Sequence, residues 1–199
     1  HISDVLSREE AVELLEKKRA GRAEREALLQ REGYPAYVTS AGWLGYDEAT
    51  VRARSRIALD DGWEHFKIKV GIDVENDRRR CRAIREVIGP ERKLMVDANQ
   101  VWDVNEAIAH IKQLAEFDLW WVEEPTSPDD ILGHAAIRAG VAPVLVATGE
   151  HVANRVVFKQ MLAAGSLDIL QIDATRVGGV NENIAILLLA AKFGVRVCP

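Results

Sequence analysis

Three acidic residues follow short apolar runs at nearly equal spacing. Glu123 comes 26 positions after Asp97, and Glu150 comes 27 positions after Glu123. That spacing is close to one strand-plus-helix unit, which takes about 25 residues in a parallel α/β protein. If the strands are neighbours, their carboxyl ends meet at one edge of the sheet, and the three carboxylates converge there.

Converging carboxylates indicate a bound cation. Like charges at close range repel one another, and a hard divalent cation between them removes that repulsion. Mg²⁺ suits carboxylate oxygens and leaves coordination positions for water and substrate, whereas Zn²⁺ prefers His and Cys ligands, which this set lacks. A single acid at a strand end is more often a helix cap or a surface charge. The prediction of a magnesium site therefore depends on all three acids together.

Two lysines share one face of an earlier strand. Lys67 and Lys69 alternate with apolar residues over 66–70, and the period of two places both lysines on the same side. Taken alone, such a pair is typical of an edge strand protected against pairing. With the three acids it predicts that lysines and carboxylates face one mouth of a barrel. Buried charges are unfavourable in a parallel sheet, and they are expected there only where an active site needs them.

Asp173 and His151 are the other candidates near that mouth. Asp173 ends the next strand, where a carboxylate can orient a histidine on the neighbouring strand, but the sequence reaches Pro199 without one. His151 follows Glu150, and strand alternation would turn the two side chains apart if the strand persisted. We expect His151 to contact the substrate or a metal ligand.

The elements that would position these residues begin near Tyr37. From there, short apolar runs alternate with stretches of helical period, which indicates a parallel sheet with crossover helices. The predicted strands are residues 37–39, 66–70, 94–97, 119–123, 144–147, 168–172 and 195–198. The predicted fold is α/β, a (β/α)8 TIM-type barrel truncated after its seventh strand. A doubly wound open sheet is the alternative, but residues 39–43 lack its G-x-G-x-x-G loop.

The first 35 residues differ from the rest. Ser7 and Glu10 have capping-box spacing, and the charge-dense stretch 21–33 predicts a solvated helix. We therefore divide the chain into a helical lead-in segment, residues 1–35, and an incomplete barrel domain, residues 36–199.

Three further assignments concern the barrel helices. Asp103 and Glu106 have the spacing of a second capping box. Arginines 78–80 are expected on a solvated helix face, and His134 is expected in a polar helical turn.

Composition limits the partners. The 199 residues are 48% hydrophobic and carry a net charge of −5, which gives no electrostatic reason to bind nucleic acid or an anionic membrane. No apolar run approaches the roughly 18 residues of a membrane span, and the N-terminus lacks the pattern of a signal peptide. Cys81 and Cys198 form neither a disulfide framework nor a zinc site, and we expect buried thiols. A cytoplasmic protein is predicted.

The strand-end motifs together resemble those of the enolase superfamily, in its mandelate racemase branch. The resemblance runs from about Tyr37 to Pro199, and its motifs are Lys67-Ile68-Lys69, Val96-Asp97-Ala98-Asn99, Glu123-Glu124-Pro125, Gly149-Glu150-His151 and Gln171-Ile172-Asp173. Residues 43–46, 121–134 and 179–183 are similar to the L-fuconate dehydratases of that branch.

The resemblance implies a role for each site residue. It implies Mg²⁺ held by Asp97, Glu123 and Glu150. It also implies Lys69 as one acid/base group and Lys67 as the residue that lowers its pKa by like charge. Asp173 would pair with a histidine on the seventh strand, expected just after Pro199, and Asn99 and His151 would contact the substrate. The superfamily also has an N-terminal capping domain, of which residues 1–35 would be a remnant or linker, and an eighth strand.

The expected activity is that of a Mg²⁺-dependent hydro-lyase acting on a small sugar acid, provided that the chain continues past Pro199. The enzyme would remove the C2 proton, pass through an enediolate and eliminate the C3 hydroxyl to give a 2-keto-3-deoxy acid, with L-fuconate as the first substrate to consider. Which group is acid and which is base depends on the stereochemistry at C2. The resemblance also suggests a homo-oligomer.

Other functions remain open at this stage. A different acid-sugar dehydratase or a racemase would use the same residues. A cycloisomerase of the muconate type resembles a site with a lysine where this chain has Asp173, which argues against it. A non-catalytic truncated remnant is the alternative outside enzyme function.

Overall fold

The computed structural model describes residues 1–199 as one parallel sheet flanked by helices. The strands are β1 (Val38–Gly42), β2 (His65–Lys69), β3 (Lys93–Asp97), β4 (Leu119–Glu123), β5 (Leu145–Thr148), β6 (Ile169–Gln171) and β7 (Arg196–Cys198). The helices are α1 (Arg8–Arg19), α2 (Arg22–Glu32), α3 (Glu48–Asp60), α4 (Val74–Ile88), α5 (Val104–Leu114), α6 (Ile131–Val141), α7 (Arg155–Ala164) and α8 (Val180–Phe193). None of these helices has the length and apolar character to cross a membrane.

The strand order confirms the predicted barrel. The strands lie side by side as β1-β2-β3-β4-β5-β6-β7, all parallel, so the chain never reverses direction across the sheet as a doubly wound fold does. All seven predicted strands are present, with bounds shifted by at most three residues. β2 pairs with both β1 and β3, so the lysine strand is not an edge strand.

Alternation divides each strand between two environments. Phe66, Ile68 and Val96 point outward into a core of 24 buried residues that the barrel helices cover. The inner face carries a smaller apolar cluster, consisting of Met95, Trp121, Ala147 and Ile169, with Tyr37 and Cys198 packed against it. Tyr37 precedes β1 and Cys198 lies on β7, so their meeting in one cluster shows that the sheet curls into an incomplete barrel.

One of the two predicted capping boxes forms. Ser7 and Glu10 form both bonds of a capping box at the start of α1, and α1 and α2 have no buried residues. Asp103 precedes α5, but its side chain accepts no capping hydrogen bond, so the second predicted capping box does not form. Leu6, just before α1, is buried with Phe158 and Ile186 against α7 and α8.

Arg80 contradicts the prediction of a solvated face. Its side chain is 1% exposed and donates hydrogen bonds to the backbone carbonyls of Lys69 at 2.7 Å, Gly42 at 2.9 Å and Trp43 at 2.7 Å. Asp77, one helical turn earlier, lies 3.6 Å from the guanidinium. Asp77 and Arg80 lie on the buried face of α4, under β1 and β2. The long Arg80 side chain therefore links the ends of these two strands.

Replacing Arg80 with Met should destabilise the fold severely. The substitution keeps the volume but removes the cation beside Asp77 and leaves three carbonyl oxygens without their buried donor, which typically costs about 3–5 kcal/mol. Urea unfolding measures the loss. Arg79→Met is the matched control, because the Arg79 side chain is 51% exposed and a change there should stay within about 0.5 kcal/mol. Equal losses in both variants would contradict this account of Arg80.

His134 also differs from its prediction, because it lies in the core rather than in a polar turn. The ring is fully buried, Nδ1 lies 2.9 Å from the carbonyl oxygen of Asp130, and Nε2 has no partner. It shares the inward face of α6 with Ile137 and Val141, a face that the helical period alone would have identified. Burial lowers the pKa of His134 below its usual value.

The buried histidine predicts a pH dependence of stability. Below about pH 6.5 the unfolded chain binds a proton at His134 that the folded chain does not, so the free energy of unfolding falls as the pH drops below that value. His134→Leu should show a smaller loss of stability between pH 7.5 and pH 5.5 than the parent protein. Leu132→Gln, at a position on α6 that is 74% exposed, should keep the parent dependence. Parallel pH profiles for all three proteins would show that His134 is not the titrating group.

Candidate active site

Two lysines and two acids meet on the inner face of the sheet. The Nζ of Lys69 lies 2.6 Å from Oδ2 of Asp97, and the Nζ of Lys67 lies 3.2 Å from the same oxygen. Lys67 also forms a close ion pair with Glu123. The strand register explains this arrangement, because Lys69 pairs with Asp97 and Asp97 pairs with Glu123 across three adjacent strands. The predicted lysine face and the first two predicted acids thus share one edge.

Burial and neighbouring charges shift the pKa values of this cluster in opposite directions. Burial alone would lower the pKa of Lys67, but the carboxylates of Glu123 and Asp97 raise it well above its usual value. Burial raises the pKa of Glu123, although Lys67 opposes this. The pKa of Asp97 is lowered despite its burial, because two ammonium groups face it. Lys67 is therefore held as a cation between two buried acids.

Two aromatic side chains that the sequence reasoning did not assign to the site border the lysines. Lys67 donates to the Tyr37 hydroxyl at 3.3 Å and lies over its ring, while Lys69 lies 5.9 Å from the centre of the Trp43 ring. Burial, followed by the charge of Glu123, raises the pKa of Tyr37. Tyr37 and Trp43 thus cover the lysines from the β1 side.

Glu150 lies on the turn after β5, at the same edge. β5 ends at Thr148 and does not persist to His151, so the alternation that would have turned His151 from Glu150 does not apply. His151 Nδ1 lies 3.7 Å from Oε1 of Glu150. The Glu150 side chain is 42% exposed, and the His151 ring is the only basic group within 4 Å of its carboxylate. Asp97 and Glu123, in contrast, are both paired with lysine.

A second polar cluster lies beside Glu150. His151 Nδ1 is hydrogen-bonded to Oε1 of Glu124, and Nε2 of Gln100 lies 3.1 and 3.2 Å from the two oxygens of that carboxylate. Ligating atoms of Glu124, Glu150 and His151 all lie within 4.8 Å of one another. Gln100 was missed by the sequence reasoning and Glu124 was noted only as part of a motif, because neither shows an unusual spacing.

Three non-glycine residues at this edge have left-handed backbones. Asn99, Gln100 and Glu124 have φ values of 46°, 67° and 43°. Such conformations cost about 1 kcal/mol or more each and persist where the surrounding structure requires them. Asn99 is an exposed residue. Its backbone N–H donates to Oδ1 of Asp97 at 3.0 Å, so the turn after β3 helps to hold the Asp97 carboxylate in place.

Asp173 lies on the turn after β6. Its carboxylate accepts hydrogen bonds from the backbone N–H and the hydroxyl of Thr175 at 2.8 and 2.7 Å, and these bonds lower its pKa. Asp173, Glu150, Tyr37 and Pro199 line one cavity of about 430 Å³. The pairing of Asp173 with a histidine stays a prediction.

The three predicted ligands suit a hard divalent cation by their chemistry. All three supply carboxylate oxygens. Asp97 and Glu123 end β3 and β4, and Glu150 follows β5, so the three lie at the same end of the sheet. Their charge exceeds that of the two lysines by one unit, which leaves the edge net negative.

Comparison with known proteins identifies the family of this chain. The family model described as "Enolase C-terminal domain-like" matches residues 49–199. The chain belongs to the enolase superfamily. The family predicted from the strand-end motifs is thereby confirmed.

Two individual relatives belong to or resemble the same family. The chain is 53% identical to human "Mitochondrial enolase superfamily member 1" and to "L-galactonate dehydratase" of Hypocrea jecorina, covering all of this chain and 45% of each relative. The crystal structure of the human protein superposes with a TM-score of 0.97, over 100% of this chain and 46% of that one. The chain thus spans less than half the length of these relatives.

A third relative was solved with ligands. "L-talarate/galactarate dehydratase" from Salmonella typhimurium LT2, liganded with Mg and L-lyxarohydroxamate, is 38% identical with a TM-score of 0.77, covering 81% of this chain and 41% of that one.

The prediction of a cytoplasmic location stays a prediction, and the human relative is mitochondrial by name.

Lys67→Met should destabilise the protein more than Lys69→Met. The first change leaves Glu123 buried without its cation, a loss typically worth about 3–5 kcal/mol, whereas in the second Asp97 keeps Lys67. Urea unfolding at pH 7.5 with a chelator measures both losses. The loss in Lys67→Met should shrink at pH 5, because protonation of Glu123 removes the unpaired charge. Equal and pH-independent losses would contradict the assigned pairing.

Proposed function

We propose that the chain forms the barrel part of a Mg²⁺-dependent acid-sugar dehydratase. The reaction removes the C2 proton of a sugar acid and eliminates the C3 hydroxyl, and the resulting enol becomes a 2-keto-3-deoxy acid. The observation that carries this proposal is the set of two lysines facing strand-end carboxylates on the inner face of β2, β3 and β4. Membership of the superfamily and the names of two dehydratase relatives support the same class.

Asp97, Glu123 and Glu150 would hold the Mg²⁺. When bound, the ion supplies a Lewis acid that stabilises the negative charge arising on the substrate carboxylate as C2 loses its proton. Their positions at the same end of three neighbouring strands support this assignment.

Lys69 is the better candidate for proton transfer at C2. Lys67 is held as a cation by two buried acids, which suits it to an electrostatic role. Lys69 contacts one acid, and its side chain is 18% exposed toward the mouth. Asp173 would orient the opposing acid/base histidine, and Asn99 and His151 would contact substrate hydroxyl groups. Whether Lys69 or the opposing histidine removes the proton depends on the configuration at C2.

The substrate is best sought among acids of the L-galacto configuration. L-Fuconate, favoured by the motifs in residues 121–134, is L-galactonate without the C6 hydroxyl, so the two acids share the configuration at C2 to C5. The fungal relative named for L-galactonate is 53% identical over this whole chain. The reacting end of either acid is the same, and selection between them reduces to recognition of one hydroxyl.

The first test is an activity assay of the full-length protein with L-fuconate and L-galactonate. With Mg²⁺, a 2-keto-3-deoxy acid should form from at least one of them, and chelation should stop the reaction. Lys69→Met should lower kcat by about 10²–10⁴-fold, the usual contribution of a general acid or base. Lys112→Met, an exposed position on α5, is the matched control and should keep full activity.

Two results would contradict the proposal. Absence of product from both acids, together with no Mg²⁺ binding at millimolar concentration, would support a non-catalytic remnant. Inversion at C2 without loss of the C3 hydroxyl would assign a racemase instead.

A further inference from the structure

We propose that His151, Glu124 and Gln100 form a brace that positions Glu150 for the metal ion. This inference rests on the proposed function, since it concerns the ligand set of the same site. It assigns positioning roles to three residues that need not touch the metal. The brace comprises only these three side chains and the backbone that links them.

The centre of the brace is the Glu124 carboxylate. Its side chain is 1% exposed, and the only basic side chain within 4 Å of it is that of His151. Gln100 Nε2 approaches both carboxylate oxygens from the other side, at 3.1 and 3.2 Å. A buried carboxylate without a lysine or arginine is costly unless donors surround it, so His151 and Gln100 are fixed by the need to satisfy Glu124.

The proton positions in the brace follow from these contacts. A carboxylate accepts only, so the His151 Nδ1 that bonds to Glu124 carries a hydrogen. Gln100 Nε2 lies 2.8 Å from the same Nδ1, and two donors cannot bond to each other, so both nitrogens direct their hydrogens at Glu124. The ring orientation of His151 is thereby fixed, and its Nε2 is the nitrogen left for water or substrate.

The backbone ties the brace to the sheet. Glu124 N–H donates to the carbonyl of Ala147 at 3.0 Å, and Gln100 N–H donates to the carbonyl of Glu124 at 2.8 Å. These bonds continue the strand ladder beyond β3, β4 and β5. The left-handed backbones of Gln100 and Glu124 occur at these two positions, so the strained residues are also the ones that link the loops.

Glu150 is held between two fixed neighbours. Gly149, with φ of 134°, leaves no room for a side chain, because an added Cβ would lie 2.2 Å from the Gln171 carbonyl oxygen and 2.8 Å from the Phe158 ring. His151 on the other side is tied to Glu124. Glu150 itself makes no hydrogen bond to the protein, so the direction of its carboxylate depends on these neighbours.

Two groups of the brace, together with Glu150, have a second interpretation. Glu124, Glu150 and His151 lie close enough to ligate an ion directly. The hydrogens that point at Glu124 favour the brace, because a ligating carboxylate turns its oxygens to a cation rather than to two N–H donors. The number of ions bound separates the two interpretations.

The test is Mn²⁺ binding to the full-length protein, followed by electron paramagnetic resonance, with Mg²⁺ as competitor. Glu124→Gln and His151→Leu should each weaken binding by about 10–100-fold, the usual effect of losing a group that orients a metal ligand. His151→Asn should bind nearly as the parent does, because its amide N–H can replace Nδ1–H. His110→Asn, on α5, is the matched histidine control.

The outcomes distinguish the brace from the proposed function. Weakened binding in Glu124→Gln and His151→Leu, rescue in His151→Asn and one ion per chain support the brace. Parent-like affinity in the first two variants overturns the brace and leaves the proposed function intact. Two ions per chain, with one lost in Glu124→Gln, overturns the brace in favour of direct ligation. A parent protein that binds no Mn²⁺ overturns the brace and the proposed metal site together.

Discussion

The buried ion cluster of Lys67 with Asp97 and Glu123 is the constraint on which the rest of the barrel depends. Removing one ammonium and two carboxylates from water costs several kcal/mol per ion, and close pairing within the sheet is what offsets that cost. Pairing requires that β2, β3 and β4 keep their register, since a slip by one residue would turn each charged side chain outward. The apolar outer face fixes that register, because the same slip would turn Phe66 and Ile68 away from the core under the helices.

The cluster also explains the differing environments of the three acids. Asp97 and Glu123 are paired with lysines inside the sheet, whereas Glu150 has no lysine within 4 Å and lies beside His151 and the Glu124 carboxylate. Arg80 adds a further restraint from outside the site, because it holds the carbonyl of Lys69 together with those of the β1 loop. Positioning of the lysines therefore comes from the helix layer as well as from the sheet.

Periodicity was sufficient to predict the sheet, because seven apolar runs of similar spacing leave few arrangements for a parallel α/β chain. It also placed Lys67, Lys69, Asp97 and Glu123 at one edge, since their parity within a strand decides the face. It failed for Arg80 and His134, where residue type outweighed helical position and polar side chains were assigned to solvent. It gave no role to Gln100 or Glu124. Their contacts depend on turns with left-handed backbones, and neither residue is of a type from which such a backbone can be predicted.

Those left-handed turns set stability against function at individual positions. Glycine adopts positive φ without steric cost, so Gln100→Gly would relieve backbone strain in the turn after β3. The same change would delete a donor to the buried Glu124 carboxylate. Selection for a more stable barrel and selection for a working mouth thus favour different residues at position 100. Replacing glutamine at such a position to relieve strain is the kind of stabilising change that comes at the expense of activity.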